Sequence, residues 1–159
     1  MKTYIFIDGE YTFTCAVREG QVPDYLGLLR LLNVAHPDNV KSLYLVSESQ
    51  KKKGLTDFLI KSGVDYVTMI PYANCSKTQM IAATLALDVA KISHTEKNCI
   101  FAFVTGDDYM MPIVHYLTER AIPSYVYYFP VIHYCELDKM ACRMVRLPHL
   151  FMYPKKVGE

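Results

Sequence analysis

Several features that would assign this chain quickly are missing from it. No apolar run approaches the ~18 residues needed to cross a bilayer, and four apolar residues before Asp8 are too few for a secretory leader. An excess of one charge is missing too. Seventeen basic against sixteen acidic residues leave a net charge of +1, so no global field draws the chain to nucleic acid or membrane, and any nucleic-acid surface must be local. The five cysteines (Cys15, Cys75, Cys99, Cys135, Cys142) show neither C-x-x-C nor zinc-ligand spacing. They read as reduced thiols of a soluble cytoplasmic protein. The five histidines fall in no H-x-x-x-H or H-E-x-x-H pattern, Ser47 and Ser49 have no recognisable triad partner, and there is no glycine-rich phosphate loop. Internal repeats, low-complexity tracts and linkers are also lacking.

What is there suits one domain with a real core, since 52% of the 159 residues are apolar. We place it at residues 1–150, with 151–159 as a C-terminal tail. The run Tyr4–Ile7 reads as a short buried strand that stops at Asp8-Gly9-Glu10. A loop is expected over Tyr11–Val22, then a helix from Pro23 that lines up Tyr25, Leu28, Leu29 and Leu32 on one face. Asn39–Ser47 reads as a second strand, Lys51–Ser62 as a helix with Leu55, Phe58 and Leu59 inward and Gly63 as its stop. Val64–Ile70 is the third strand. Ser76-Lys77-Thr78-Gln79 matches a capping box and opens a long helix to about Ile92, apolar nearly all round and so expected deep against the sheet. Cys99–Thr105, Tyr109–Arg120 and Ser124–Phe129 add a strand, a helix and a fifth strand. The aromatic run Tyr125–Tyr134 reads as a buried strand edge rather than a base-stacking surface, and a closing helix follows from about Glu136. The alternation of strands and helices predicts an α/β fold, a three-layer α/β/α sandwich around a mainly parallel five-stranded sheet.

The chemistry concentrates where strands end in acids. Asp8 closes the first strand, and Gly106-Asp107-Asp108 closes the fourth before a new helical period at Met110, Ile113, Val114 and Leu117. In open parallel sheets ligands bind outside the carboxyl ends of the strands. If the two strands are neighbours, Asp8 and Asp107 face each other across one crevice. An all-oxygen pair of this kind suits Mg²⁺ or Mn²⁺, which take few protein carboxylates and leave room for phosphate. The plainer reading makes these acids helix caps and turn residues. Lys51, Lys52 and Lys53 follow the second strand on that same edge and could meet a nucleic-acid backbone, or form a solvated first helical turn. Lys77 is placed to contact a phosphate or to pair with an acid of the site.

Phe6-Ile7-Asp8-Gly9-Glu10 resembles the hhhDGxN opening of the NYN domain, a PIN-like family of metal-dependent ribonucleases. Val104-Thr105-Gly106-Asp107-Asp108-Tyr109-Met110 resembles its hh[ST]GDxDF signature. Lys77-Thr78-Gln79-Met80-Ile81 stands where the family has K-G-x-D-h, and Leu137–Leu147 resembles its closing LxxxADxFhxL helix. The resemblance runs from residue 3 to about residue 147. It implies acids at Asp8 and Asp107 and at the positions held here by Met80, Tyr109 and Cys142, with Asn in place of Tyr11. Only Asp8 and Asp107 are kept. Three readings follow: a one-metal ribonuclease in which Asp8 and Asp107 hold the ion and Asp108 or Glu10 positions water; a catalytically inactive NYN domain that binds RNA, a protein partner or a second copy; and a haloacid-dehalogenase-like phosphohydrolase with Asp8 as nucleophile.

Overall fold

The computed structural model describes residues 1–47 and 53–154. Strand β1 (Lys2–Asp8) leads into helix α1 (Gly9–Arg18), a short strand β2 (Val22–Pro23) and helix α2 (Tyr25–Ala35). Strand β3 (Asn39–Ser47), helix α3 (Lys53–Lys61), strand β4 (Tyr66–Pro71) and the long helix α4 (Lys77–Thr95) follow. The second half carries β5 (Cys99–Val104), α5 (Met110–Glu119), β6 (Ser124–Tyr128), a 3-10 turn at Cys135–Lys139, β7 (Arg143–Arg146) and β8 (Phe151–Met152).

Six strands form one sheet in the order β4-β3-β1-β5-β6-β7, every pair parallel. The chain works outward from β1 to β3 and β4, then returns to the other side of β1 with β5. That reversal opens a crevice at the carboxyl ends of β1 and β5. Alternation along β1 feeds two cores: Ile5 and Ile7 pack with α1 and α2 on one face, Phe6 with α4 and α5 on the other. The aromatic side chains of Phe6, Phe101 and Phe103 stack across β1 and β5, with ring centroids 5.5 to 6.3 Å apart. β2 and β8 make a separate antiparallel pair that brings Phe151 into the core.

The apolar periods of α2 and α5 hold: Tyr25, Leu28, Leu29 and Leu32, and Met110, Ile113, Val114 and Leu117, are buried. The capping box at Ser76 and Gln79 is formed by both of its hydrogen bonds. Tyr127 and Phe129 are buried in and just after β6, as a strand reading of the aromatic run requires.

Five expectations need correcting. The loop expected over Tyr11–Val22 is mostly helix α1, because Asp8 accepts the Tyr11 N–H as an N-cap and Tyr11, Thr12, Cys15 and Ala16 form a buried face. The α2 helix starts after Asp24, which caps it, so Pro23 lies in β2 rather than in its first turn. The closing helix over Leu137–Leu147 is a 3-10 turn followed by β7, a sixth strand. Met144 packs into one core and Val145 into the other, a two-residue period that only a strand provides. Helix α4 is not buried all round. Ile81, Leu85 and Val89 face the sheet while Leu87 is 73% exposed, and in α3 Phe58 likewise turns outward.

Helix α5 ends with the Ile122 N–H bonded to the Leu117 carbonyl and the Ala121 N–H to Thr118, which places Ala121 in the left-handed region at φ 54°. A Cβ is strained there, so Ala121→Gly is expected to stabilise the fold by about 0.5–1 kcal/mol, a rise of roughly 1–4 °C in melting temperature. Thermal denaturation of the two chains checks this; an unchanged or lower melting temperature contradicts it.

Candidate functional site

At the carboxyl edge of the sheet the acids fall into different environments. Asp8 is the last residue of β1 and is only 1% exposed. Its Oδ1 accepts the Tyr11 N–H at 2.9 Å, and its Oδ2 accepts the Tyr109 hydroxyl at 2.7 Å. Both carboxyl oxygens therefore already have a protein donor. Burial is the main cause that lifts the Asp8 carboxyl to about pH 7; the two hydrogen bonds oppose the shift, and the nearby charges of Asp107 and Glu10 add to it.

Asp107 follows the Gly106 turn beyond β5 and is half-buried, and its N–H bonds the Thr105 hydroxyl at 3.3 Å. Its carboxyl is raised by burial and then by Asp108, while Arg18 at the end of α1 lowers it. Asp108 is exposed. Strands β1 and β5 are neighbours, with Ile7 opposite Val104, and Asp107 is near enough for its charge to act on Asp8.

Glu10 reaches back to the sheet: its Oε1 accepts the Val46 N–H at 2.9 Å, and its Oε2 lies 3.9 Å from Lys77 Nζ. Of the two roles open to Lys77, pairing with an acid is the one seen. Lys53 opens α3, whereas Lys51 and Lys52 lie outside the described residues.

Two tyrosines do most to shape the site. Tyr109 sits at the N-cap position of α5 and spends its hydroxyl on Asp8 rather than on the helix. Tyr11, on the first turn of α1, donates its hydroxyl to the Ile132 carbonyl at 2.7 Å and accepts the Phe129 N–H at 2.9 Å. The Tyr134 N–H bonds the Gly106 carbonyl at 2.8 Å, so the segment after β6 is strapped across the acid turn. Gly106 has no room for a side chain there, since a Cβ would run into the Ile132 carbonyl. The residue types at 11 and 109 were visible as departures from the NYN pattern. Their hydrogen bonds were not, because both span more than 100 positions.

A family model for the NYN domain matches residues 2–146. The chain belongs to the NYN domain family. A solved structure of a Vibrio parahaemolyticus protein of unknown function shares the fold with this NYN domain, with a TM-score of 0.77 over 94% of each chain at 21% identity. A search of curated proteins finds no match. The comparisons thus support a PIN-like fold of the nuclease superfamily. No helix among the described residues is long and apolar enough to cross a membrane.

Whether this donor set suits the divalent ion that the family implies depends on the oxygens on offer. Asp8 accepts hydrogen bonds from Tyr11 and Tyr109, Glu10 is bonded to the backbone of β3, and among the described residues no three His, Cys, Asp or Glu side chains are grouped to hold a metal. A hard cation bound through one or two carboxylates still needs them open toward it. The residues present offer such an ion a smaller acid set than the family pattern implies, Asp8 and Asp107 without the acids at 80, 109 and 142.

Because Asp8 titrates higher in the fold than in the unfolded chain, its contribution to stability is full below the usual carboxylate range and is lost as pH rises through about 7. Asp8→Asn, which keeps an acceptor for the Tyr11 N–H, is expected to melt above the wild type at pH 8 by ~4–8 °C, or roughly 2 kcal/mol. That difference should shrink toward pH 4. Removing the hydroxyl with Tyr109→Phe leaves a buried oxygen of Asp8 without its donor and is expected to cost about 1–3 kcal/mol. Melting curves of the three chains from pH 4 to 8 check both expectations, and a wild type stable above Asp8→Asn at pH 8 defeats the first.

Proposed function

We propose that this NYN domain is an RNA-binding module that does not cleave by metal-dependent hydrolysis. The carrying observation is the Asp8 carboxylate, held by the Tyr11 N–H and the Tyr109 hydroxyl where a family nuclease would open it toward an ion. The acid positions lost at Met80, Tyr109 and Cys142 agree with that reading, since Met80, Tyr109 and Cys142 pack against the core on the α4 and α5 side. RNA is favoured as the ligand by cations. Lys77 opens α4 and Arg18 acts on Asp107 at the carboxyl edge, and the sequence adds Lys51, Lys52 and Lys53 after β3. A backbone of phosphates would meet these groups with no requirement for base identity. The overall charge of +1 agrees with a local interaction of this kind.

Two measurements test the proposal. Single-stranded RNA incubated with the protein and millimolar Mn²⁺ should be recovered intact, and its binding should weaken steeply with salt and fall further in a Lys51→Glu, Lys52→Glu, Lys53→Glu variant. The melting temperature should not respond to Mn²⁺ in the wild type, and should rise with Mn²⁺ in Tyr109→Asp, where a carboxylate replaces the hydroxyl donor beside Asp8. Cleavage that depends on Mn²⁺ and disappears in Asp107→Asn would overturn it and restore the nuclease reading.

A further inference from the structure

At the opposite end of the sheet lies a second concavity. Both faces of a parallel sheet are normally covered by helices, and α4 covers this face only in part. Its buried residues Ile81, Leu85 and Val89 pack over the carboxyl half of the strands, and past them Lys91 and Thr95 are exposed. The amino halves of β1, β3 and β4 are left partly open beneath the last turns of the helix, around a cavity of about 520 Å³. That volume is of the size that takes a small ligand.

The floor of the cavity is uneven for a reason that the sequence supplies. On one face of the three strands Tyr4, Ser42 and Tyr66 stand in neighbouring rows, and Ser42 pairs in register with Tyr66. The short side chains of Ser42 and Thr68 leave a hollow between two phenol rings. Tyr4 is backed by Phe101, with ring centroids 6.0 Å apart. Tyr66, the first residue of the edge strand β4, is 63% exposed.

The polar groups at the rim carry both signs. Lys2 stands over the Tyr4 ring with Nζ 5.6 Å from its centroid, and Lys91 lines the helical wall. Of the two carboxylates, Asp88 already accepts the Tyr44 hydroxyl at 2.7 Å. Glu96, at the end of α4, lies close enough to Tyr4 to help raise that phenol, after the larger effect of burial. That carboxylate is within hydrogen-bonding reach of the Tyr4 hydroxyl, its partner at the rim.

Flat aromatic faces, hydroxyls between them and two ammonium groups within one hollow match a planar heterocycle that carries an anion. We infer that this cavity binds a nucleotide, its base lying against Tyr4 and Tyr66 and its phosphate directed toward Lys2 and Lys91. Base stacking on tyrosine tolerates any base, and guanosine monophosphate serves as the probe. The site is separate from the carboxyl edge. Asp8 lies six residues along β1 from Lys2, about 20 Å at the rise of an extended strand. The inference therefore does not depend on the reading of the acid site. The nucleotide can arrive free or as one residue of a single strand.

The test is an NMR titration of the full chain with guanosine 5′-monophosphate, guanosine, and a short single-stranded oligoribonucleotide. The monophosphate should shift resonances at Tyr4, Ser42, Tyr66, Thr68 and Lys91, and should bind more tightly than guanosine. Tyr66→Ala, at an exposed side chain, should keep the wild-type melting temperature and weaken monophosphate binding by roughly tenfold or more. Lys91→Ala should remove the preference for the phosphate. Oligonucleotide shifts at these same residues support the site with a strand as the source of its nucleotide. Monophosphate shifts here without oligonucleotide shifts here support it with the free nucleotide as source. No shift at these residues with millimolar monophosphate, or binding indifferent to both substitutions, overturns the inference. Loss of RNA binding on reversing Lys51, Lys52 and Lys53 reports on the carboxyl edge alone, so the two readings fail separately.

Discussion

The arrangement around Asp8 governs much of this molecule. One carboxyl group, almost fully buried, caps helix α1 through the Tyr11 N–H and takes the hydroxyl of Tyr109 at the start of α5. Those two bonds join the first strand to helices on opposite faces of the sheet. A carboxylate at that depth would cost several kcal/mol without donors, and here the donors come from chain segments about 100 residues apart. What a nuclease of this fold would keep open and charged, this chain closes and holds near neutrality. A latch of that type adds cohesion, because one carboxyl group ties β1 to both α1 and α5.

Tyr11 extends the same logic outward. Its hydroxyl is both donor and acceptor to the segment after β6, and the tight approach of Ile132 to Gly106 closes that segment over the acid turn. Glu10 acts in the other direction, bonding the backbone of β3 while it faces Lys77. The three residues that open the α1 region, Asp8, Glu10 and Tyr11, thus tie β1 to β3, to α5 and to the segment after β6. The side chains of Asp8, Glu10 and Tyr11 are thus all bonded within the protein.

Much of this was legible in the sequence where the signal was local. Runs such as Tyr4–Ile7 and Cys99–Thr105 could only be buried strands, and the acids that end them marked the edge where β1 and β5 meet. The period of α2 and of α5 named their buried faces correctly. Legibility failed where a distant partner decides the outcome. Helix α1 is hidden in GEYTFTCAVR because Gly9, Thr12 and Thr14 have low helix propensity, and what makes the helix is Asp8 at its cap and the core beneath Cys15 and Ala16. The segment over Leu137–Leu147 has spacing compatible with a helix, yet the free edge of β6 supplies hydrogen bonds that only a strand can meet, and Arg143–Arg146 takes them. The departures at Tyr11 and Tyr109 from the family pattern could be named from sequence. That both hydroxyls would be turned inward, one onto Asp8 itself, depends on contacts across the whole chain.

The two ends of the sheet also differ in a way that bears on function. At the carboxyl edge the polar groups answer one another: carboxyl to hydroxyl, carboxylate to lysine, hydroxyl to carbonyl. At the amino edge, Tyr66 stands largely in solvent, and Ser42 and Thr68 give up packing volume on a sheet face that a parallel fold would ordinarily fill with branched apolar side chains. Open aromatic area on such a face costs hydrophobic stabilisation of ~25 cal/mol for each Å² left in water. Stability alone gives no reason to keep it, because apolar residues at 42 and 68 would draw α4 and the tyrosines together. The fold retains the hollow while it spends its acids on cohesion at the other end. In this NYN domain the edge where the family resemblance implies chemistry is tied together by hydrogen bonds, and the edge the family motifs do not mark carries an open cavity.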